Sequence, residues 1–258
     1  MNLTKSSNPV FGRTILEEVR SGLQKESMSI RGTVNKTGLL LLIVIFAAMF
    51  TWRKFFEAFD YSSGETAFSA VSVWLIAGGI GGFITALITT FSPKRARVTA
   101  PVYAVFEGLF LGGISAFFES RFPGLVMRAV SLTFGVFFVL LLLYRSGKIR
   151  ATGKFRMGVL AATGGIALVY LGSFIAGLFG VNPGFLYGNS SLSIGISLLI
   201  VAVAALNLIL DFDFIERGAA AGAPRYMEWY GAFGLMVTLI WLYVEMLRLL
   251  SKLASSRE

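Results

Sequence analysis

Carboxyl groups inside otherwise apolar runs are the residues of this sequence best suited to chemistry. Glu107, Asp211 and Glu245 interrupt long apolar stretches, and Asp213 follows Asp211 after one residue. A charge in a bilayer is costly, so such residues usually face a bundle interior or water. Asn207 precedes Asp211 by one helical turn and lies on the same face. Oxygen groups of this kind suit Ca²⁺, Na⁺ or protons rather than soft metals.

Several kinds of chemistry are excluded because the chain contains no cysteine and no histidine. Thiolate and imidazole metal sites and histidine general bases are therefore absent. No phosphate-binding loop of the P-loop type is present either. We predict that the protein is not an enzyme and has no cofactor. A pH response near neutrality would have to come from a carboxyl group whose surroundings favour its protonated form.

The composition is that of an integral membrane protein. Of the 258 residues, 55% are hydrophobic and only 14% are charged, whereas soluble domains carry about 25% charged residues. Seven apolar runs approach the roughly 20 residues that cross a bilayer. They lie at about 37–52, 67–91, 101–118, 126–144, 157–179, 190–212 and 229–250. We predict an all-α protein with a seven-helix transmembrane domain at 37–250, a partly disordered tail at 1–36 and a short tail at 251–258.

The basic residues predict the orientation. Sixteen Lys and Arg residues fall in the N-terminal tail and the alternate connections that share its side, and seven fall on the other side. The positive-inside rule then places the N-terminus in the cytoplasm and the C-terminus outside. Topology accounts for most of the basicity, so no nucleic-acid partner is expected. The absence of a cleavable signal and of cysteine fits a bacterial inner membrane protein whose partner is the lipid bilayer.

The acidic side chains can be placed by depth. Glu107 lies roughly 9 Å into the third span at about 1.5 Å per residue, and Asp211 lies near the same end of the sixth. We expect the two to face one cavity, although a structural carboxyl at Glu107 and an interfacial charge at Asp211 are the alternatives. Asp213 points about 200° away from Asp211 and is expected to pair with Arg217.

The remaining charged residues are expected to be solvated or to form local ion pairs. Glu216 and Glu228, with Arg217 and Arg225, are predicted to form a solvated cytoplasmic rim. Glu245 is expected to pair with Arg248, three residues later.

Glycine is abundant inside the spans. Gly78 with Gly82, and Gly108 with Gly112, have the four-residue spacing that lets membrane helices approach closely. We expect tight helix packing at these glycines and at those of the fifth span, with a hinge or a backbone-lined path as the alternative.

Two segments carry a family resemblance. They are PVYAVFEGLFLGGISAFFE at 101–119 and a second segment at 207–250, with LDFDFIERGAAAGAPRYMEW as its most specific part. Together with SNPVF near the start and the seven spans, they resemble the bacterial Bax inhibitor-1 family in its YccA-like branch. The resemblance covers essentially the whole chain.

The resemblance implies a seven-helix bundle with the last helix central, acting as a pH-sensitive calcium leak. It also implies a pair of aspartates on the sixth and seventh helices that closes the pore when one is protonated. Asp211 matches the first and would be the gate and calcium ligand, whereas Thr238 occupies the second position. Either Glu107 or Asp213 would then replace the missing partner, or Thr238 would hydrogen-bond to Asp211.

The same resemblance implies an alternative function. The protein would not conduct ions, and would instead modulate other membrane proteins, including a membrane-bound AAA protease. The tail at 1–36 would be the contact in that case.

Overall fold

The computed structural model describes residues 27–61, 64–180 and 184–256. Seven helices in these ranges are long and apolar enough to cross a membrane, as the sequence predicts. They are α1 (Ile30–Tyr61), α2 (Gly64–Phe91), α3 (Ala96–Arg121), α4 (Leu125–Arg145), α5 (Gly153–Leu178), α6 (Ser191–Ala220) and α7 (Met227–Ser255). A 3₁₀ turn, Pro93–Arg95, precedes α3, and a single helical turn, Gly184–Tyr187, precedes α6.

The helices extend beyond the apolar runs. α1 begins at Ile30, inside the segment predicted as a tail, and α7 continues to Ser255, past the predicted boundary at 250. Both helices therefore pass the predicted domain limits at 36 and 250, which remain predictions for the extent of the transmembrane domain. An apolar run marks only the part of a helix suited to lipid, whereas backbone hydrogen bonding continues into polar flanks. The rest of the predicted tail, residues 1–26, lies outside the described residues.

The last helix is central in the bundle, as the family resemblance implies. α7 packs against α1, α3, α4 and α6. Its Met236, Leu242 and Leu247 are fully buried. The bundle end at which α1, α3, α5 and α7 begin is called the basic end below.

Glycines on α2 and α3 allow close helix contact, as predicted. A Cβ atom at Gly108 would lie 2.5 Å from the Val44 carbonyl oxygen on α1, and one at Gly78 would lie 2.6 Å from the Phe106 carbonyl oxygen. The backbones are therefore in close contact where α3 packs on α1 and on α2. The expectation is wrong for α5, because a Cβ atom at Gly165 would have no neighbour within 4 Å.

Candidate functional site

A cavity of about 990 Å³ lies between α2, α5, α6 and α7 at the basic end. Along α7 its lining runs from Met227 to Thr238, a rise of roughly 16 Å at about 1.5 Å per residue. Thr238 is the last residue of α7 in this lining, about midway along the helix. The cavity therefore enters the bundle from one end and stops inside it.

Asp211 lies on the cavity wall formed by α6. It faces α7 at Gly234, where an added Cβ atom would lie 3.9 Å from Asp211 Oδ1. Thr238, one turn further along α7, is the hydrogen-bonding side chain that faces the carboxylate. Among the described residues, Asp211 Oδ2 is buried and has no hydrogen-bond partner. Such an atom costs stability, which makes Asp211 a candidate for function.

Asp213 also lines the cavity, but its charge is already paired. It forms ion pairs with Arg217 on its own helix and with Arg156 on α5, the latter at 2.8 Å. The predicted pairing with Arg217 is confirmed. Asp213 is thus held by two arginines at the cavity mouth. Asp211 has no arginine partner among the described residues and faces Thr238.

Asn207 lines the cavity one turn before Asp211, as its helical spacing predicts. Its amide nitrogen donates hydrogen bonds to Thr163 Oγ1 on α5 at 2.8 Å and to the Val203 carbonyl oxygen at 2.9 Å. This amide links α5 to α6 beside the carboxylate.

Glu107 does not line the cavity, which corrects the expectation that it shares one with Asp211. Its carboxylate lies against α2, where a Cβ atom at Gly82 would be 3.0 Å from Glu107 Oε2. Tyr103, one turn earlier, packs edge-on against Phe233 with ring centroids 5.2 Å apart. Phe233 lines the cavity, so α3 approaches it through this aromatic contact and not through the Glu107 carboxylate.

The predicted rim is partly correct. Arg217, Arg225 and Glu216 are exposed, and Glu216 accepts a hydrogen bond from the Tyr144 hydroxyl.

Glu228 corrects the prediction of a solvated rim, because it is only 3% exposed. Glu228 Oε1 accepts hydrogen bonds from Ser29 N at 2.9 Å and Ser29 Oγ at 2.8 Å, and Oε2 pairs with Lys36. The carboxylate joins the start of α7 to the start of α1, a contact between residues almost 200 positions apart that helical spacing could not reveal.

The end of the bundle opposite the basic end contains two polar clusters. Glu245 pairs with Arg248 at 3.2 Å, as predicted, and also accepts a hydrogen bond from the Tyr170 hydroxyl on α5 at 2.8 Å.

Sequence reasoning missed the second cluster. Lys252 is 4% exposed and donates hydrogen bonds to the Leu186 carbonyl oxygen at 2.6 Å, to Ser193 Oγ at 2.8 Å and to Ser197 Oγ at 2.7 Å. The serines at 193 and 197 are four residues apart and share one face of α6. This spacing was the sequence signal that could have predicted a polar contact there.

The cavity is not a preformed metal centre. Within the described ranges, no group of three or more acidic side chains is placed to hold a metal ion. Asp211 is the lining carboxylate that is free of arginine partners. A cation entering the cavity would thus meet a single available carboxylate, with the hydroxyl of Thr238 opposite it.

The chain was compared with protein families, curated proteins and solved structures, and the comparison with families gave a match. Residues 8–255 match the model of one family, described as Bax inhibitor 1 like. No curated protein and no solved structure gives a significant match to the chain. The family match extends over nearly all of the sequence, including every helix described above. The chain therefore belongs to the Bax inhibitor 1 like family.

Proposed function

We propose that the protein is a pH-sensitive cation leak channel of the bacterial inner membrane, with calcium as the permeant ion and Asp211 as the gate. The observation that carries the proposal is the buried, unpartnered Asp211 Oδ2 in a cavity within a membrane bundle. Family membership supports a membrane protein of the Bax inhibitor 1 like family. No enzymatic step and no resident cofactor form part of the proposal.

A permeant ion must bind well enough to enter and weakly enough to leave. Calcium prefers carboxylate, carbonyl and hydroxyl oxygens, and tight sites supply six to eight of them. Asp211 and Thr238 supply two such groups, which favours brief binding with water as the remaining ligand. This geometry suits a leak better than calcium storage.

The cavity mouth supports a closed resting state. Arg156 and Arg217 together carry one more charge than Asp213, their shared partner, so the mouth repels cations. The lining on α7 ends at Thr238, so the cavity stops inside the bundle. In our proposal, opening separates α6 from α7 at Asp211 and weakens the contact between Arg156 and Asp213.

Protonation of Asp211 supplies the proposed pH response. A neutral carboxyl group can donate a hydrogen bond to the Thr238 hydroxyl, which would hold α6 against α7. An ionised carboxylate can still accept a hydrogen bond from the Thr238 hydroxyl. Its burial between the two helices with Oδ2 unpartnered is costly, so ionisation favours opening toward water and attracts the cation. Flux should therefore rise as the pH increases through the range in which Asp211 ionises.

Calcium flux into proteoliposomes, measured as a function of pH, tests the proposal. The wild type is compared with Asp211→Asn and with Glu216→Gln, an exposed acid on the same helix. We expect pH-dependent flux in the wild type and in Glu216→Gln, and a flux independent of pH in Asp211→Asn. Flux no greater than that of empty liposomes at every pH would overturn the proposal of a leak, and an unchanged pH profile in Asp211→Asn would overturn the gate.

The second candidate function is modulation of a membrane-bound AAA protease through the N-terminal segment. The observation that favours it is the position of Met28, whose amide donates to the Ala223 carbonyl oxygen at 2.6 Å. Met28 packs against Gly218 and Gly231, and both glycines line the Asp211 cavity. A partner that holds the preceding residues would therefore act on the cavity wall.

This candidate is tested by deleting residues 1–26, with the point variant Asp211→Asn as the comparison. We propose that the deletion changes the turnover of protease substrates and that Asp211→Asn does not. A cytoplasmic N-terminus, which the excess of basic residues at that end supports, would place the segment within reach of such a protease. Turnover unaffected by the deletion would overturn this reading.

A further inference from the structure

A second cavity of about 450 Å³ lies between α1 and α4. Both helices pack on α3 and α7 but barely touch each other in the described ranges, so a groove remains between them. Residues of α3 and α7 form its floor. Ile45 and Met49, on its α1 edge, are about half exposed, which shows that the groove opens at the side of the bundle, where lipid would be.

The interior of the groove suits a hydrocarbon. Its lining is almost entirely apolar. The three hydroxyl groups that line it are engaged within the protein, because Ser115 bonds to Tyr243 at 2.7 Å and Thr133 donates to the Ala129 carbonyl oxygen at 2.8 Å. A polar ligand would lose its hydration there without gaining hydrogen bonds.

The length of the groove matches one leaflet of a bilayer. Along α1 it runs from Leu41 to Arg53, a rise of about 18 Å at about 1.5 Å per residue. Half of a typical hydrocarbon core is about 15 Å thick. On α4 the groove extends inward from Val126, the second residue of that helix. It therefore begins at the end opposite the basic end and reaches the middle of the bundle.

A positive charge marks the outer end of the groove. The Arg53 side chain is 77% exposed and lies 3.5 Å from Glu57, which is itself 52% exposed. Exposed ion pairs contribute little, so the guanidinium group can exchange this partner for a phosphate, which it binds with two parallel hydrogen bonds. Lys54 adds a second positive charge beside it.

We propose that this groove binds an anionic phospholipid, with one acyl chain between α1 and α4 and the headgroup phosphate at Arg53. The charged end, the apolar interior and the length of one leaflet together define an amphiphile of this shape. The site is separate from the Asp211 cavity and does not depend on ion conduction.

Fluorescence of Trp52, which lines the groove, provides the test. The chain has four tryptophans, and replacing Trp74, Trp229 and Trp241 by Phe leaves Trp52 as the reporter. The protein is placed in phosphatidylcholine nanodiscs with rising fractions of phosphatidylglycerol brominated on its tails. We expect half-maximal quenching at a fraction about two- to fivefold lower than with brominated phosphatidylcholine, the range expected for one exposed charge contact.

Two variants and a matched control locate the lipid. Arg53→Gln should make the quenching curves for the two brominated lipids coincide. Val130→Phe, which fills the groove, should abolish the part of the Trp52 quenching that saturates with lipid fraction. Val139→Phe makes the same change at a position on α4 that is 56% exposed and outside the groove, and should leave the preference intact. Identical curves for both lipids in the wild type would overturn the proposal.

A second measurement avoids the tryptophan substitutions. Native mass spectrometry of the protein with all four tryptophans should show one retained phosphatidylglycerol, which is lost in Arg53→Gln. Equal retention in both proteins would also overturn the proposal.

Discussion

Arg156 of α5 and Asp213 of α6 form an ion pair of 2.8 Å at the mouth of the cavity. Thr163 and Tyr170, further along α5, each make a hydrogen bond of 2.8 Å to a neighbouring helix. These three positions are seven residues apart, which places them on one face of the helix. Since α5 packs mainly on α6 and is only 11% buried over its most apolar stretch, this polar seam is its principal attachment.

Replacing Arg156 by Gln should increase cation flux in proteoliposomes. The change removes one positive charge from the mouth and loosens one of the three polar contacts of α5. A barrier lower by about 1 kcal/mol would raise the flux roughly fivefold. Lys154→Gln removes an exposed charge from the same helix turn, outside the cavity, and is the control. Equal flux in the two variants would contradict a role of this ion pair in closing the mouth.

Replacing Thr238 by Asp should move the rise of the flux to a higher pH. The new carboxylate would face Asp211 across α6 and α7, and two carboxylates at such a distance resist being ionised together. One shared proton would then hold the helices together until a higher pH than in the wild type. Thr238→Asn introduces a side chain of the same size without charge and should not shift the profile. A pH profile that is the same for the two variants would show that residue 238 does not contact the gate.

Replacing Glu228 by Gln should destabilise the protein by about 2 to 3 kcal/mol, because it leaves the partly buried Lys36 without a counter-charge. Lys36 is 18% exposed and Glu228 4% exposed by side chain, so solvent screens the pair only weakly. Thermal unfolding in detergent measures the effect. The control Glu57→Gln removes an acid that is 52% exposed and should cost less than about 1 kcal/mol. Equal losses in the two variants would mean that the Glu228 contact contributes no more than a surface pair.

Replacing Gly108 by Ala should destabilise the contact between α1 and α3. The added methyl group would lie 2.5 Å from the Val44 carbonyl oxygen, and relief requires a backbone shift that costs about 1 to 3 kcal/mol. Gly165→Ala makes the same change on α5 where no atom lies within 4 Å, and should be neutral or slightly stabilising. A midpoint of thermal unfolding that falls by the same amount in both variants would indicate a loss of helix flexibility rather than a steric clash.

Features that depend on local geometry can be predicted from the sequence alone. The number of spans follows from the lengths of the apolar runs, because crossing a bilayer sets a minimum length for each helix. The ion pairs of Asp213 with Arg217 and of Glu245 with Arg248 follow from helical spacing alone. Gly78 and Gly108 were identified as contact positions because glycine has no side chain to hold neighbouring helices apart.

Which helix faces contact each other depends on the packing of the whole bundle and cannot be predicted from helical spacing. Glu107 and Asp211 have similar predicted depths, yet Glu107 faces α2 and Asp211 faces α7, because the rotation of a helix is set by the packing of its neighbours. Glu228 is buried because the start of α1 covers it, a contact across most of the chain. The groove between α1 and α4 is likewise invisible in the sequence, since it exists only because both helices pack on α3 and α7 without closing on each other.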